Sequence, residues 1–163
     1  MAQFTPILAT LGYVLSADHK QVLMINRNTR HDDIHFGKYN GLGGKLEANE
    51  DVASGMRREI LEESGLFAEK LQLRGTISWT NFGRNGEDWF GFIFRIDSWH
   101  GMVNEKNGEG TLEWIPLGSL SRLPLWPSDH LFLPMVFDDD PRQFHGYMPW
   151  ENGAMSDWSY VRI

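Results

Sequence analysis

The sequence predicts an α/β fold, read as one domain over residues 1–163. Three observations carry that prediction. Strand-like segments lie before and after one acidic, helix-like stretch; glycines at 41, 43 and 44 lead into that stretch; and a second, shorter helical segment comes late in the chain. A hydrophobic content of 41% with 23% charged residues is that of a globular protein, and 163 residues suffice to bury a sizeable core.

Taken in order, Thr5 to Leu15 (TPILATLGYVL) is apolar and β-branched enough for a buried strand, with Gln21 to Asn26 (QVLMIN) as its hairpin partner. Arg27 to Asn40 is polar and reads as an exposed loop, although His31, Asp32, Asp33 and His35 lie close together in it. The glycine cluster that follows is expected to form a turn whose backbone can approach a ligand closely. Asn49 is the expected N-cap of a helix from about Glu50 to Ser64, and Gly65 its left-handed terminator. Leu71 to Phe82 and Trp89 to Trp99 form a second hairpin around Gly83-Arg84-Asn85-Gly86. Gly101 to Gly110 is a loop that ends on Glu109 and Gly110, and Thr111 to Ile115 a short strand. Ser128 or Asp129 caps a short helix through Val136, strained by Pro134. Phe144 to Trp150 and Met155 to Val161 flank an Asn152-Gly153 hairpin signal.

The central helix carries the chemistry. At 100° per residue Val52, Ala53, Met56 and Ile60 share one stripe, and Glu59, Glu62 and Glu63 gather on the face beside it. Carboxylates about 5 Å apart repel by roughly 3 kcal/mol per pair at an effective dielectric near 20. Arg57 and Arg58 neutralise part of that charge, and a hard cation with oxygen ligands, Mg²⁺ or Mn²⁺, fits the rest. The alternative is a solvated acidic face with no ligand.

The pattern decides between them. Gly44, five residues, Glu50, seven residues, Arg58-Glu59-Ile60, one residue, Glu62-Glu63, one residue, Gly65-Leu66 resembles the complete signature of the Nudix hydrolases over residues 44–66. The resemblance implies a Nudix-type α/β/α sandwich with a mixed β-sheet, and Mg²⁺-dependent hydrolysis of a diphosphate bond, with Mn²⁺ as a substitute. It also implies Glu59, Glu63 and Glu62 as metal ligands together with the backbone carbonyl of Gly43. Arg58 then orients a glutamate, Glu50 supports from behind, Lys45 meets a phosphate, and Glu109 is an extra metal-binding or catalytic acid. The general base stays open between Glu59, Glu62 and Glu109.

Further segments resemble the MutT-like branch, which hydrolyses oxidised purine nucleoside triphosphates such as 8-oxo-dGTP to the monophosphate and pyrophosphate. Asn40-Gly41-Leu42-Gly43-Gly44-Lys45 is similar to that branch's entry to the signature, where the asparagine reads a purine edge. Leu125-Trp126-Pro127-Ser128-Asp129 is similar to its Trp-Pro-Asp-Asp segment, where indole stacks on the base and acid reads it; Ser128 replaces the first acid. Phe144-His145-Gly146-Tyr147 also has a counterpart. Trp79 falls at an aromatic wall, and Thr10 and Arg27 near pocket positions. The implied role is sanitation of the nucleotide pool, in the service of DNA repair. The same signature serves hydrolysis of ADP-ribose, nucleotide sugars or dinucleotide polyphosphates, and a Nudix domain can also bind nucleotides without turnover.

Composition narrows the partners. A net charge of −7 argues against a nucleic-acid polymer, whose phosphates demand Lys and Arg. With no cysteine there is neither disulfide framework nor thiolate site. Residues 1–15 lack the basic start and apolar core of a signal peptide, and no apolar run is long enough to span a membrane. The expectation is a cytoplasmic monomer or small homo-oligomer whose partner is a small nucleotide.

Overall fold

The computed structural model describes residues 1–163. Strand β1 (Ile7–Leu15) organises it. It pairs antiparallel with β2 (Gln21–Asn26) at Val14↔Leu23 and parallel with β6 (Glu87–Gly101) from Ile7↔Trp89 to Val14↔Ile96. Strand β5 (Leu66–Phe82) runs antiparallel to β6 and parallel to β8 (Phe144–Glu151). With β3 (Tyr39–Asn40) and β10 (Ser159–Arg162) at the ends, the order is β10-β8-β5-β6-β1-β2-β3, a mixed sheet. Three further strands pair off this path: β4 (Leu42–Lys45) on β1, β7 (Thr111–Pro116) on β2 and β9 (Ala154–Met155) on β8.

Alternation along the central strands builds two cores. Tyr13, Val22 and Met24 enter one cluster with Ile77, Phe132, Leu133, Val136 and Phe144; Val14, Leu23 and Ile25 enter the other with Leu42, Met56, Ile60 and Phe94. The first cluster is closed by helix α2 (Asp129–Phe137), the second by helix α1 (Val52–Ser64). A strand pattern apolar on both sides belongs to a sheet covered on both faces. The sandwich thus has one α-helix on each side and a short 3₁₀ turn (Leu117–Arg122).

Several sequence expectations shift. The N-cap of α1 is Asp51, not Asn49: its carboxylate accepts Ser54 N–H at 2.9 Å, so the helix starts two residues after Glu50. Gly65 closes α1 in the left-handed region, donating its N–H to Leu61. Strand β5 begins at Leu66 rather than Leu71, because it starts as soon as α1 ends and pairs with β6 from its first residue. The glycine segment is not a turn but strand β4, registered Thr10↔Gly44 and Leu11↔Gly43 against β1. Met155 to Val161 divides into β9 and β10, the Asn152-Gly153 turn joining β8 to β9 with positive φ at both residues. Pro134 lies inside α2, which is short enough to tolerate the missing N–H. No helix is long and apolar enough to cross a membrane.

Candidate active site

Strand β4 and helix α1 meet edge to face, and the contact is built from glycine and glutamate. Gly43 N–H donates to Glu63 Oε2 at 3.0 Å. A Cβ on Gly44 would stand 2.6 to 2.8 Å from all three carboxyl atoms of Glu59. Gly44 is glycine because a carboxylate lies where a side chain would go, and Gly43 because the backbone of Thr10 does.

Arg58 organises the charge. Its guanidinium grips Glu50 with two bonds of 2.9 and 2.7 Å, and reaches Glu59 at 2.8 Å, Glu62 at 3.3 Å and the Lys45 carbonyl at 3.2 Å. The fork geometry suits this bridging, and the Arg58 bonds pull the Glu50 pKa down to about 2. Arg57, expected to share the neutralising role, instead donates to the carbonyls of Ala68 and Glu69. Helix rotation explains this: one residue's step turns its side chain about 100° away from the glutamate face.

Glu109 approaches from the other side. Arg27 bonds both Glu109 and Asp33, at 2.5 Å for the latter. Asn107 fastens the intervening loop, donating to the Glu63 carbonyl at 3.1 Å and accepting the Glu109 N–H at 2.8 Å. Glu63 is the most enclosed acid here: burial, then the charge of Glu109, raise its pKa to about 8, with Glu59 adding to the rise and the Gly43 N–H opposing it.

The donor set suits a hard divalent cation: carboxylate oxygens of Glu59, Glu62, Glu63 and Glu109 with the Gly43 backbone beside them, and an enclosed acid penalised by its acidic neighbours. The side chains do not converge as a cage of three or more ligands. Arg58 and Arg27 hold three of the four carboxylates. A metal test follows from Glu63. A carboxyl raised from 4.5 to about 8 is protonated in the fold where the unfolded chain would ionise it. Its penalty is absent below pH 4.5, grows as pH rises, and levels off above about 8. Mg²⁺ is therefore expected to raise the melting temperature more at pH 8 than at pH 5.5, by an added stabilisation on the order of 2–4 kcal/mol. Equal increments at both pH values would remove Glu63 from the cation site.

A cavity of about 270 Å³ opens from this face into the first core. Thr10, Arg27, Asn40, Trp79, Trp126 and Asp129 all line it, with Gly43, Gly44 and Glu63 at one end. Lys45 does not; its Nζ stands 5.4 Å from the centroid of Trp89, a lining residue. Sequence reasoning missed Phe82, Trp89 and Trp150, which extend the aromatic wall, and His35, which was read as part of an exposed loop. The loop residues 31–35 form no metal cluster; Asp33 serves Arg27, and His35 turns inward. An unusual density of aromatics was the available signal, but core tryptophans give the same one. Burial raises the Asp129 pKa to about 7, with Ser128 as its hydrogen-bond partner at 3.2 Å.

A sequence model of the NUDIX domain matches residues 6–136. The chain is 33% identical over 116 residues to an oxidized purine nucleoside triphosphate hydrolase of Mus musculus, covering 71% of this chain and 72% of that protein. The protein of the same description from Danio rerio is 32% identical over 115 residues, covering 71% of each. In structure, a MutT protein from Bacillus halodurans superposes with a TM-score of 0.81 at 24% identity, covering 94% of this chain and 97% of that one.

Proposed function

This chain belongs to the Nudix hydrolase family, and on that premise we propose that it hydrolyses an oxidised purine nucleoside triphosphate to the monophosphate and pyrophosphate. The observation that carries the reading is the cavity: an aromatic pocket at the low end of ligand-site volumes, sized for a base, whose one end is Glu63 and the glycine strand. A base held there leaves its phosphates on the acidic face of α1. The mouse and zebrafish relatives, by name, act on oxidised purine nucleoside triphosphates, which supports the same assignment.

In this reading Trp126 offers its ring face to the base, and Asn40 and Asp129 read its edge. Arg27, between the cavity and Glu109, meets a phosphate oxygen. Glu59, Glu62, Glu63 and Glu109, with the Gly43 carbonyl, would hold Mg²⁺ or Mn²⁺. A divalent cation so held neutralises phosphate charge and lowers the pKa of an attacking water. Glu59, Glu62 or Glu109 takes a proton from the attacking water as its oxygen bonds to phosphorus, the anhydride bond breaks and pyrophosphate leaves. Arg58 keeps Glu59 oriented while Glu50 keeps Arg58 in place. The role that follows is nucleotide-pool sanitation in the cytoplasm.

The test is steady-state hydrolysis with Mg²⁺ of 8-oxo-dGTP, 2-hydroxy-dATP, dGTP, ADP-ribose and a diadenosine polyphosphate, with products identified. The expected result is the highest kcat/KM on an oxidised purine triphosphate, with pyrophosphate released. Preference for ADP-ribose or the dinucleotide would overturn the base pocket while leaving the glutamate face; no turnover would favour a nucleotide-binding module.

A further inference from the structure

His35 is a cavity residue to which that reading gives no role, and its bonds determine the polarity of the pocket. Trp126 Nε1 lies 2.7 Å from His35 Nδ1, and Asn40 Nδ2 lies 3.2 Å from the same nitrogen. An indole nitrogen can only donate. His35 Nδ1 must therefore present a lone pair, and its ring proton sits on Nε2. A lone pair cannot face an amide oxygen, so the Asn40 group near it is the NH₂. The other end of that amide, Asn40 Oδ1, is buried and has no partner. An unsatisfied buried carbonyl costs about 1–3 kcal/mol, and flipping the amide would not repair it, since the oxygen would then face the Nδ1 lone pair and the His35 bond would be lost. Trp126, its N–H already engaged, has only its ring left for a ligand.

We propose that His35 is a positioning residue that sets base specificity: by accepting from Trp126 and Asn40 together it holds the Asn40 carbonyl free, so the pocket requires an N–H donor from the base. The inference rests on the purine triphosphate reading and deepens it. A guanine-type base, a 2-amino-6-oxopurine, carries two adjacent donors on its pairing edge, N1–H and the 2-amino group, and the two lone pairs of a carbonyl can take both. An adenine-type base offers one donor there, its 6-amino group, beside a bare N1 acceptor whose lone pair opposes the carbonyl. The guanine-type base is thus preferred over the adenine-type base, independently of oxidation at C8. Burial, with Arg27 nearby, keeps the His35 pKa down at about 4, so the ring stays neutral and the lone pair stays available at neutral pH.

The experiment compares kcat/KM for 8-oxo-dGTP with that for 8-oxo-dATP, which differ at the pairing edge and share the C8 oxidation. Wild type is expected to favour 8-oxo-dGTP. His35→Phe keeps an aromatic ring and removes the lone pair; it should lower that ratio about tenfold, mainly through the KM for 8-oxo-dGTP, with kcat little changed. His35→Gln, whose amide oxygen can accept, should recover most of the ratio. An unchanged ratio in His35→Phe, an equal loss in both variants, or a wild-type preference for 8-oxo-dATP overturns the proposal. Should the variants fail to fold, ¹⁵N NMR of wild-type protein reads the tautomer directly: a protonated Nε2 with bare Nδ1 supports it, and a proton on Nδ1 overturns it. Absence of any purine triphosphate turnover by wild type brings down the parent reading together with this one. Turnover with an unchanged ratio in His35→Phe brings down only this one.

Discussion

Glu59→Gln is expected to lower kcat by about a thousandfold or more while shifting the melting temperature by only a few degrees. The amide is isosteric, so the contact with Gly44 survives, and Arg58 remains anchored by its two bonds to Glu50. What disappears is one negative charge at the point where the helix face meets the glycine strand. Glu62→Gln should cost less. Its side chain is 59% exposed and its bond to Arg58 is the longer one, 3.3 Å against 2.8 Å for Glu59. Activity assays across a Mg²⁺ titration, with thermal melts on the same samples, separate the two. Full activity in Glu59→Gln would take that residue out of the mechanism.

The second large effect comes from adding one methyl group at either of two adjacent glycines, with opposite consequences. At Gly43 a Cβ would lie 2.0 Å from the carbonyl oxygen of Thr10, a backbone atom fixed by the β1–β4 pairing. Gly43→Ala should therefore destabilise the fold by about 3 kcal/mol or more, since the strands must separate to admit it. At Gly44 the obstacle is the Glu59 carboxylate, the far end of a flexible side chain. Gly44→Ala should fold with a loss of about 1 kcal/mol, yet lose activity nearly as Glu59→Gln does, because the carboxylate is displaced. Denaturant unfolding and kcat measured on both variants check the pair. A stable Gly43→Ala would contradict the tight β1–β4 approach, and an active Gly44→Ala would show that the position of Glu59 against the strand is dispensable.

Helix α1 was legible because its signals are local. Apolar spacing, the acid cluster and Gly65 as terminator all lie within one turn or two of the groups they act on. Even there the cap moved from Asn49 to Asp51, since two neighbouring residues can both cap and only the chain path selects one. Strand β4 was mistaken for a turn because glycine carries no β-pattern. It is a strand because it pairs with β1, which lies close enough at Gly43 to exclude a side chain.

The sequence by itself determined the family, the α/β class and the run of glutamates on one helix face, all written in consecutive residues at fixed spacing. It also named Thr10, Arg27, Asn40, Trp79, Trp126 and Asp129 as pocket residues through short resemblances, without fixing how they meet. Only the tertiary structure decided that they line one cavity with Glu63, that Arg58 rather than Arg57 serves the acids, and that His35 turns inward to hold Trp126 and Asn40. The reason is physical: a helix face follows from a period of 3.6 residues, whereas a contact between residues 35 and 126 depends on how distant strands pair and which core each helix closes.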